Sequence, residues 1–141
     1  MIDAMSPSAE HLGTVELRIP AKAEWVAVAR LAVSAIANRL PFTIEEIEDL
    51  KLALAEACTN CIQHTGEGDA IDITFDTSTE EVRVTVRDHR RGKPETIGAQ
   101  LQDERTEGLG IYIIQSLMDA VEYRVDGRIG TELVMIKRVL A

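Results

Sequence analysis

A helix-forming stretch in the middle of the chain places a carboxylate and a carboxamide one turn apart. Glu56 and Asn60 lie four residues apart in LKLALAEACTNCIQH, residues 50–64, and this spacing puts two side chains on one face of an α-helix. The amide oxygen of Asn60 is a hard ligand of the kind that Mg²⁺ prefers. The Glu56 carboxylate could accept the proton of a hydroxyl that attacks a phosphate. The alternative is a solvated helix face without chemistry.

A second motif, EGLGIYIIQSLMD, places glycines just before a predicted helix. Gly108 and Gly110 flank Leu109, and glycines at a loop-to-helix junction leave backbone N–H groups free to bind phosphate. Taken alone the pair is a weak signal, because glycines before helices are often only turns. It is not a dinucleotide-binding fingerprint, since no third glycine follows at the required spacing.

Two further residues lie at the ends of predicted strands. Asp88 follows VTVR, where a buried carboxylate could accept a hydrogen bond from an amine such as the adenine amino group. Alternatively, Asp88 could be a turn residue that ends the strand. Thr131 follows Gly130 where the last strand begins. This pair could lie beside the other three motifs in space, and a hairpin turn without a ligand explains it equally well.

Composition limits the classes of protein. With 141 residues the chain is long enough for one domain with its own core. It has 15 basic and 24 acidic residues, a net charge of −9, and no basic block, which argues against direct nucleic-acid binding. No apolar run approaches the ~20 residues of a membrane span, so we expect a cytoplasmic protein. Cys58 and Cys61 are predicted to be buried and reduced.

The elements that position these residues predict an α+β fold. Strands are expected at 14–19, 70–76, 81–87, 121–125 and 131–139, and helices at 21–39, from Thr43 to about 65–68, and at 111–120. Most strands have one polar face, so the helices should cover one face of a mixed, mostly antiparallel sheet in a two-layer sandwich. Residues 1–13 are predicted to be a flexible N-terminal segment, and 14–141 a single domain.

Local signals support individual elements. Thr43 and Glu46 have the spacing of a capping box, and the TSTE link predicts a hairpin between the second and third strands. The second helix carries an apolar stripe and an adjacent stripe that contains the candidate residues. The apolar stripe is Ile47, Leu50, Leu54, Ala57, Cys58 and Cys61, and the adjacent stripe is Asp49, Ala53, Glu56, Asn60 and Gln63.

The order of the motifs resembles one superfamily. E-x-x-x-N on a helix, a strand that ends in Asp, a long loop, G-x-G at a helix and G-T on a strand are similar to the Bergerat-type ATP-binding fold of gyrase, Hsp90, histidine kinases and MutL. Within it, EACTN and EGLGIYII most resemble the anti-sigma-factor serine/threonine kinases of the sigma-B and sporulation type. The resemblance covers 15–137.

The resemblance implies a role for each matching residue. Asn60 corresponds to the Mg²⁺-binding asparagine and Glu56 to the general base. Asp88 corresponds to the aspartate that reads adenine, and residues 93–107 to a lid over ATP. The other implied nucleotide-binding residues are Gly92, Arg105, Gly108, Leu109, Gly110 and Thr131.

The sequence departs from the family at one position. Glycine is usual two residues after the aspartate, whereas here Arg90 occupies that place. Arginine there could obstruct the nucleotide pocket, point to solvent, or place a cation near the phosphates.

The implied function is a kinase that uses Mg-ATP to phosphorylate an anti-anti-sigma partner and that also sequesters a sigma factor, as a homodimer. Two alternatives remain open: a catalytically impaired module that only sequesters its partner, and a switch kinase of a related signalling complex.

Overall fold

The computed structural model describes residues 9–64, 69–89, 107–126 and 130–140. After strand β1 (His11–Pro20) and a short 3₁₀ turn (Ala23–Trp25) come the helices α1 (Val26–Ala37) and α2 (Ile44–His64). Strands β2 (Ala70–Ser78) and β3 (Glu81–Asp88) follow. Helix α3 (Glu107–Leu117) precedes the strands β4 (Ala120–Asp126) and β5 (Gly130–Arg138).

The five strands form one sheet in the order β1-β2-β3-β5-β4. The predicted α+β fold is confirmed, but the sheet is not mixed in the described residues, because all four pairings are antiparallel. Strand β4 runs in the same direction as β3, as expected after a crossover through α3. The hairpin partner β5 lies between the two, and so no parallel pair is formed among the described strands.

The beginnings of two elements follow from local contacts. Strand β1 starts at His11, which pairs with Ser78, so residues 11–13 belong to the sheet and not to the N-terminal segment predicted for 1–13. The capping box before α2 is confirmed. The Thr43 N–H donates to Glu46 Oε1 at 2.9 Å, and the Glu46 N–H donates to Thr43 Oγ1 at 3.1 Å.

The core lies between the apolar face of the sheet and the helices. Phe75, Val84 and Met135 are neighbours across β2, β3 and β5 and are at most 1% exposed. Every residue of the predicted apolar stripe of α2 is buried. Ala53, which was assigned to the adjacent stripe, is also fully buried, because α2 packs against α1 and α3 as well as the sheet.

Both cysteines are buried and free, as predicted. Burial raises the pKa of the Cys58 thiol to about 12, so this side chain packs as an apolar group. Within the described part of the chain, no helix is both long enough and apolar enough to cross a lipid bilayer.

Lys137 joins three elements at the C-terminal end of α3. Its Nζ donates to the carbonyl oxygen of Leu117, the last residue of α3, at 2.7 Å. The same Nζ lies 3.6 Å from Asp49 Oδ2 on α2. The last carbonyls of a helix have no partner within the helix, and a positive charge is favourable there. Lys137 therefore attaches α3 to both β5 and α2.

Lys137→Met keeps the aliphatic stem and removes the donor. We expect it to lower the free energy of unfolding, measured by urea denaturation, by about 1–3 kcal/mol, because it removes a partly buried, charge-assisted hydrogen bond. The matched control is Lys51→Met, which breaks a pair with Glu48 whose carboxylate side chain is 58% exposed. This control should cost less than about 1 kcal/mol. Equal losses in the two variants would show that Lys137 contributes no more than a surface pair.

Candidate functional site

Gly110 in the first turn of α3 lies directly against the polar stripe of α2. A Cβ added to Gly110 would lie 3.0 Å from Asn60 Oδ1 and 3.4 Å from Glu56 Oε2. The two side chains are half-buried, whereas Gly110 is buried. The structure thus brings together a carboxylate, a carboxamide and the start of a helix. A side chain at position 110 would occupy the space between them.

The start of α3 differs from the sequence prediction. The helix was expected to begin at residue 111, but it begins at Glu107, so Gly108, Leu109 and Gly110 form its first turn and not the preceding loop. Glycine has low helix propensity, and for that reason the sequence pattern indicated a loop. The first-turn N–H groups of a helix lack intrahelical acceptors and carry positive potential. They therefore favour an anionic group beside Glu56 and Asn60.

Asp88 and Thr131 form a second polar cluster at the ends of β3 and β5. The Thr131 N–H donates to Asp88 Oδ1 at 3.2 Å, and the two residues are only 2% and 4% exposed. Burial of a carboxylate without a hydrogen bond is costly. The backbone donor of Thr131 therefore stabilises Asp88 in this position.

Gly130 allows β5 to begin beside the end of β3. Its φ is +107°, and an added Cβ would overlap the carbonyl oxygen of Asp88 and lie 3.1 Å from the Cα of His89. Both the backbone conformation and the close approach require glycine. A hairpin turn, one of the two interpretations of this position from the sequence, does not account for this close approach to β3.

A small cavity lies between Asn60 and the Asp88–Thr131 pair. Its volume is about 10 Å³, enough for roughly one water molecule, so its walls must move apart to admit anything larger. Its lining combines an apolar wall with a few polar groups, a composition that small-molecule sites share. It is lined by Asn60, Asp88 and Thr131 together with Ala57, Cys61, Val86, Tyr123 and Leu133.

The apolar wall of this cavity was missed by sequence reasoning. Val86, Leu133 and Tyr123 are cross-strand neighbours on β3, β5 and β4, and Ala57 and Cys61 lie on α2 beside Asn60. Period-two alternation along β4 could have assigned Tyr123 to the inner face. The position of β5 between its two neighbours, however, cannot be read from such a local pattern.

Two residues predicted to bind the nucleotide, Gly92 and Arg105, lie outside the described residues. Arg90 and the predicted lid up to residue 106 also lie outside them. Glu107, predicted as the last residue of the lid, is the first residue of α3.

Comparison with known proteins identifies the family. Residues 19–137 match the model of the histidine kinase-like ATPase domain. The chain belongs to this family. It is 39% identical over 135 residues to the serine-protein kinase RsbW of Halalkalibacterium halodurans, with coverage of 88% of this chain and 82% of that protein. It is also 37% identical to the serine-protein kinase RsbW of Bacillus pumilus, with coverage of 91% and 87%. Within the family, the chain is therefore of the RsbW type.

Solved structures agree with this assignment. The histidine kinase domain of the blue-light activated histidine kinase from Erythrobacter litoralis EL346 matches with a TM-score of 0.52 and 25% identity, over 84% of this chain and 61% of that one. The catalytic domain of the histidine kinase ThkA matches with a TM-score of 0.56 over 90% of this chain and 97% of that one. Its identity is 16%, so this likeness concerns the fold alone.

Gly130→Ala should destabilise the protein more than a change of backbone conformation alone can explain. A strained φ costs about 1–3 kcal/mol, and the overlap with Asp88 adds to it. The matched control is Gly13→Ala, where φ is +155° and no atom lies within 4 Å of the added Cβ. Urea denaturation should show a larger loss for Gly130→Ala, and amide exchange at Thr131 should accelerate only in that variant. Similar losses would contradict a steric requirement at Gly130.

Proposed function

We propose that the protein is an ATP-dependent serine/threonine kinase that phosphorylates an anti-anti-sigma partner and, in a separate complex, sequesters a sigma factor. The observation that carries the proposal is the close approach of Gly110 to Asn60 and Glu56, where an added Cβ would lie 3.0 Å from Asn60 Oδ1 and 3.4 Å from Glu56 Oε2. It places a first-turn backbone suited to phosphate within reach of a candidate metal ligand and a candidate base. The similarity to proteins named serine-protein kinases supports the same chemistry.

In this proposal, the cavity beside Asp88 and Thr131 receives the adenine ring. The buried Asp88 carboxylate would accept a hydrogen bond from the exocyclic amino group, and the Thr131 N–H would keep that carboxylate oriented. The apolar wall formed by Val86, Leu133 and Tyr123 would contact the ring faces. Because the cavity now has a volume of only about 10 Å³, it would have to widen to admit the base.

The phosphates would lie between the first turn of α3 and α2. Asn60 Oδ1 faces the space that a Cβ on Gly110 would fill, and one amide oxygen suits Mg²⁺, which takes most of its other ligands from water and phosphate. When bound, Mg²⁺ would neutralise phosphate charge and orient the terminal phosphoryl group. Asn60 would hold it, and Gly110 would leave room for the phosphate oxygens.

Glu56 would act as the general base. Its carboxylate lies one helical turn before Asn60 on the side that faces Gly110, and it is half-buried, so a hydroxyl from a partner protein can approach it. It would accept the hydroxyl proton as the oxygen attacks the phosphorus. Asn60 and Glu56 would therefore contribute to binding and to chemistry, respectively.

Two substitutions separate these roles. Glu56→Gln should bind Mg-ATP normally, while phosphoryl transfer to an anti-anti-sigma protein, followed with radiolabelled ATP, falls by roughly 10²–10⁴-fold. Asn60→Ala should weaken ATP binding in the presence of Mg²⁺, measured by calorimetry, and change it little without the metal. Glu48→Gln, on an exposed part of α2, is the control. Normal turnover in Glu56→Gln would remove Glu56 from the mechanism.

The alternative, a module that sequesters its partner without catalysis, is favoured by Arg90 in place of the usual glycine. Calorimetry on the unaltered protein distinguishes the two functions. Micromolar binding of Mg-ATP supports the kinase, whereas partner binding without measurable ATP binding supports the sequestering module. A switch kinase would bind ATP but phosphorylate a protein of another signalling complex.

We also propose that the protein forms a homodimer through β1. In the sheet order of the described strands β1 is an edge strand, and Leu12 and Val15 on it are 48% and 46% exposed. Exposed apolar edge strands favour pairing with another chain. Light scattering at micromolar concentration should give twice the mass of one chain, and Val15→Lys should shift the protein to monomer. Leu31→Lys, at a 71% exposed position on α1, is the control. A monomeric unaltered protein would contradict this assembly.

A further inference from the structure

Three charged or titratable side chains meet on the face of the sheet that is opposite to the candidate site. The Arg18 Nε donates to Asp72 Oδ1 at 2.6 Å, and its Nη2 donates to Asp72 Oδ2 at 3.0 Å. His89 Nε2 lies 2.6 Å from the same Oδ2. Arg18, Asp72 and His89, here called the outer cluster, thus connect β1, β2 and the residue that follows β3.

The two hydrogen bonds from Arg18 orient the Asp72 carboxylate as an acceptor. The hydrogen bond from Arg18 is the main cause that holds the pKa of Asp72 below its usual range, and His89 acts in the same direction. The Asp72 side chain is 30% exposed, compared with 67% for Arg18 and 40% for His89. A carboxylate that remains ionised and is already oriented by a bidentate partner can fix the position of the His89 ring.

The outer cluster includes His89, the residue that follows Asp88. Successive residues of a strand point to opposite faces, so His89 on the outer face requires that the Asp88 side chain point inward. Asp88 pairs with Ile71 and Arg87 pairs with Asp72, which makes His89 and Asp72 diagonal neighbours across the two strands. Thr131 and Gly130 contact Asp88 from the other side, on β5. The end of β3 is therefore held from both neighbouring strands.

We propose that Asp72 and His89 are positioning residues for Asp88: the hydrogen bond between them fixes the end of β3 and thereby makes the nucleotide site selective for adenine. This inference rests on the proposed function, in which Asp88 accepts a hydrogen bond from adenine. Arg18 contributes by orienting Asp72.

If the outer cluster only stabilises the sheet and does not position Asp88, a different experimental result is expected. Exposed ion pairs contribute little to global stability. Strands β1 and β2 also carry a single hydrogen bond further along, where Thr14 Oγ1 donates to Asp76 Oδ1 at 2.6 Å. Asp76 lies on the same strand and the same face as Asp72 but away from Asp88. If the outer cluster only supports the sheet, loss of Asp72, like loss of Asp76, should leave the ratio of ATP to GTP affinity and the exchange of the Thr131 amide unchanged.

The experiment compares Asp72→Ala, His89→Ala and His89→Gln with the control Asp76→Ala. Gln can present a side-chain N–H group near the place of His89 Nε2 and should restore the hydrogen bond. Calorimetry with ATP and with GTP measures base selectivity, and hydrogen exchange of the Thr131 amide measures the Asp88 contact without nucleotide. We expect Asp72→Ala and His89→Ala to weaken ATP binding by roughly three- to tenfold, as for the loss of one hydrogen bond, while GTP binding is unchanged. Thr131 exchange should accelerate in these two variants.

His89→Gln and Asp76→Ala should both match the unaltered protein. The inference is overturned if the unaltered protein prefers ATP and the two alanine variants of the outer cluster keep the same ATP-to-GTP ratio and the same Thr131 exchange. It is also overturned if Asp76→Ala has the same effect as Asp72→Ala, or if His89→Gln behaves as His89→Ala. An unaltered protein that binds neither nucleotide refutes the proposed function itself and the positioning role with it.

Discussion

The packing of α2 determines the geometry of the whole site. Leu50, Leu54 and Cys58 are at most 1% exposed, so the helix cannot rotate about its axis without bringing apolar surface into water. Because an α-helix repeats every 3.6 residues, this constraint also sets the direction of Glu56 and Asn60. Both then face the first turn of α3, where Gly110 leaves room for them. Hydrophobic burial of the apolar stripe of α2 thus positions the polar groups of the adjacent stripe.

The sheet contributes the second half of the site through long-range pairing. Asp88 and Thr131 are 43 residues apart in the chain but are joined by a hydrogen bond, because β3 and β5 are neighbours. The alternation of side chains that directs Asp88 inward directs His89 outward to Asp72. The end of β3 therefore directs the buried Asp88 carboxylate towards the cavity, while the next residue, His89, contacts Asp72 on the opposite face. A movement of this strand end would displace both side chains.

The two ends of α3 differ: the C-terminal end stabilises the fold, and the first turn lies at the candidate site. Its C-terminal end is attached to β5 and α2 through Lys137. Its first turn contains two glycines, each about 1 kcal/mol less favourable in a helix than alanine. Gly110 packs on Asn60 and Glu56 without a side chain of its own. At the site, α3 thus has two residues of low helix propensity that allow close approach, and its distant end is held by the partly buried cation of Lys137.

Features that depend on neighbours a few residues apart could be predicted from the amino-acid sequence. These are the apolar stripe of α2, the Thr43–Glu46 capping box, the hairpin of β2 and β3, and the alternating burial along these two strands. The tertiary structure decided the rest: the insertion of β5 between β3 and β4, the start of α3 at Glu107, the burial of Ala53, and the contacts of Gly110 and Asp88. Periodicity reports which face of an element is apolar, whereas those contacts depend on which distant element covers it. Weak local preferences, such as that of glycine for loops, are overridden when burial and hydrogen bonding favour another conformation.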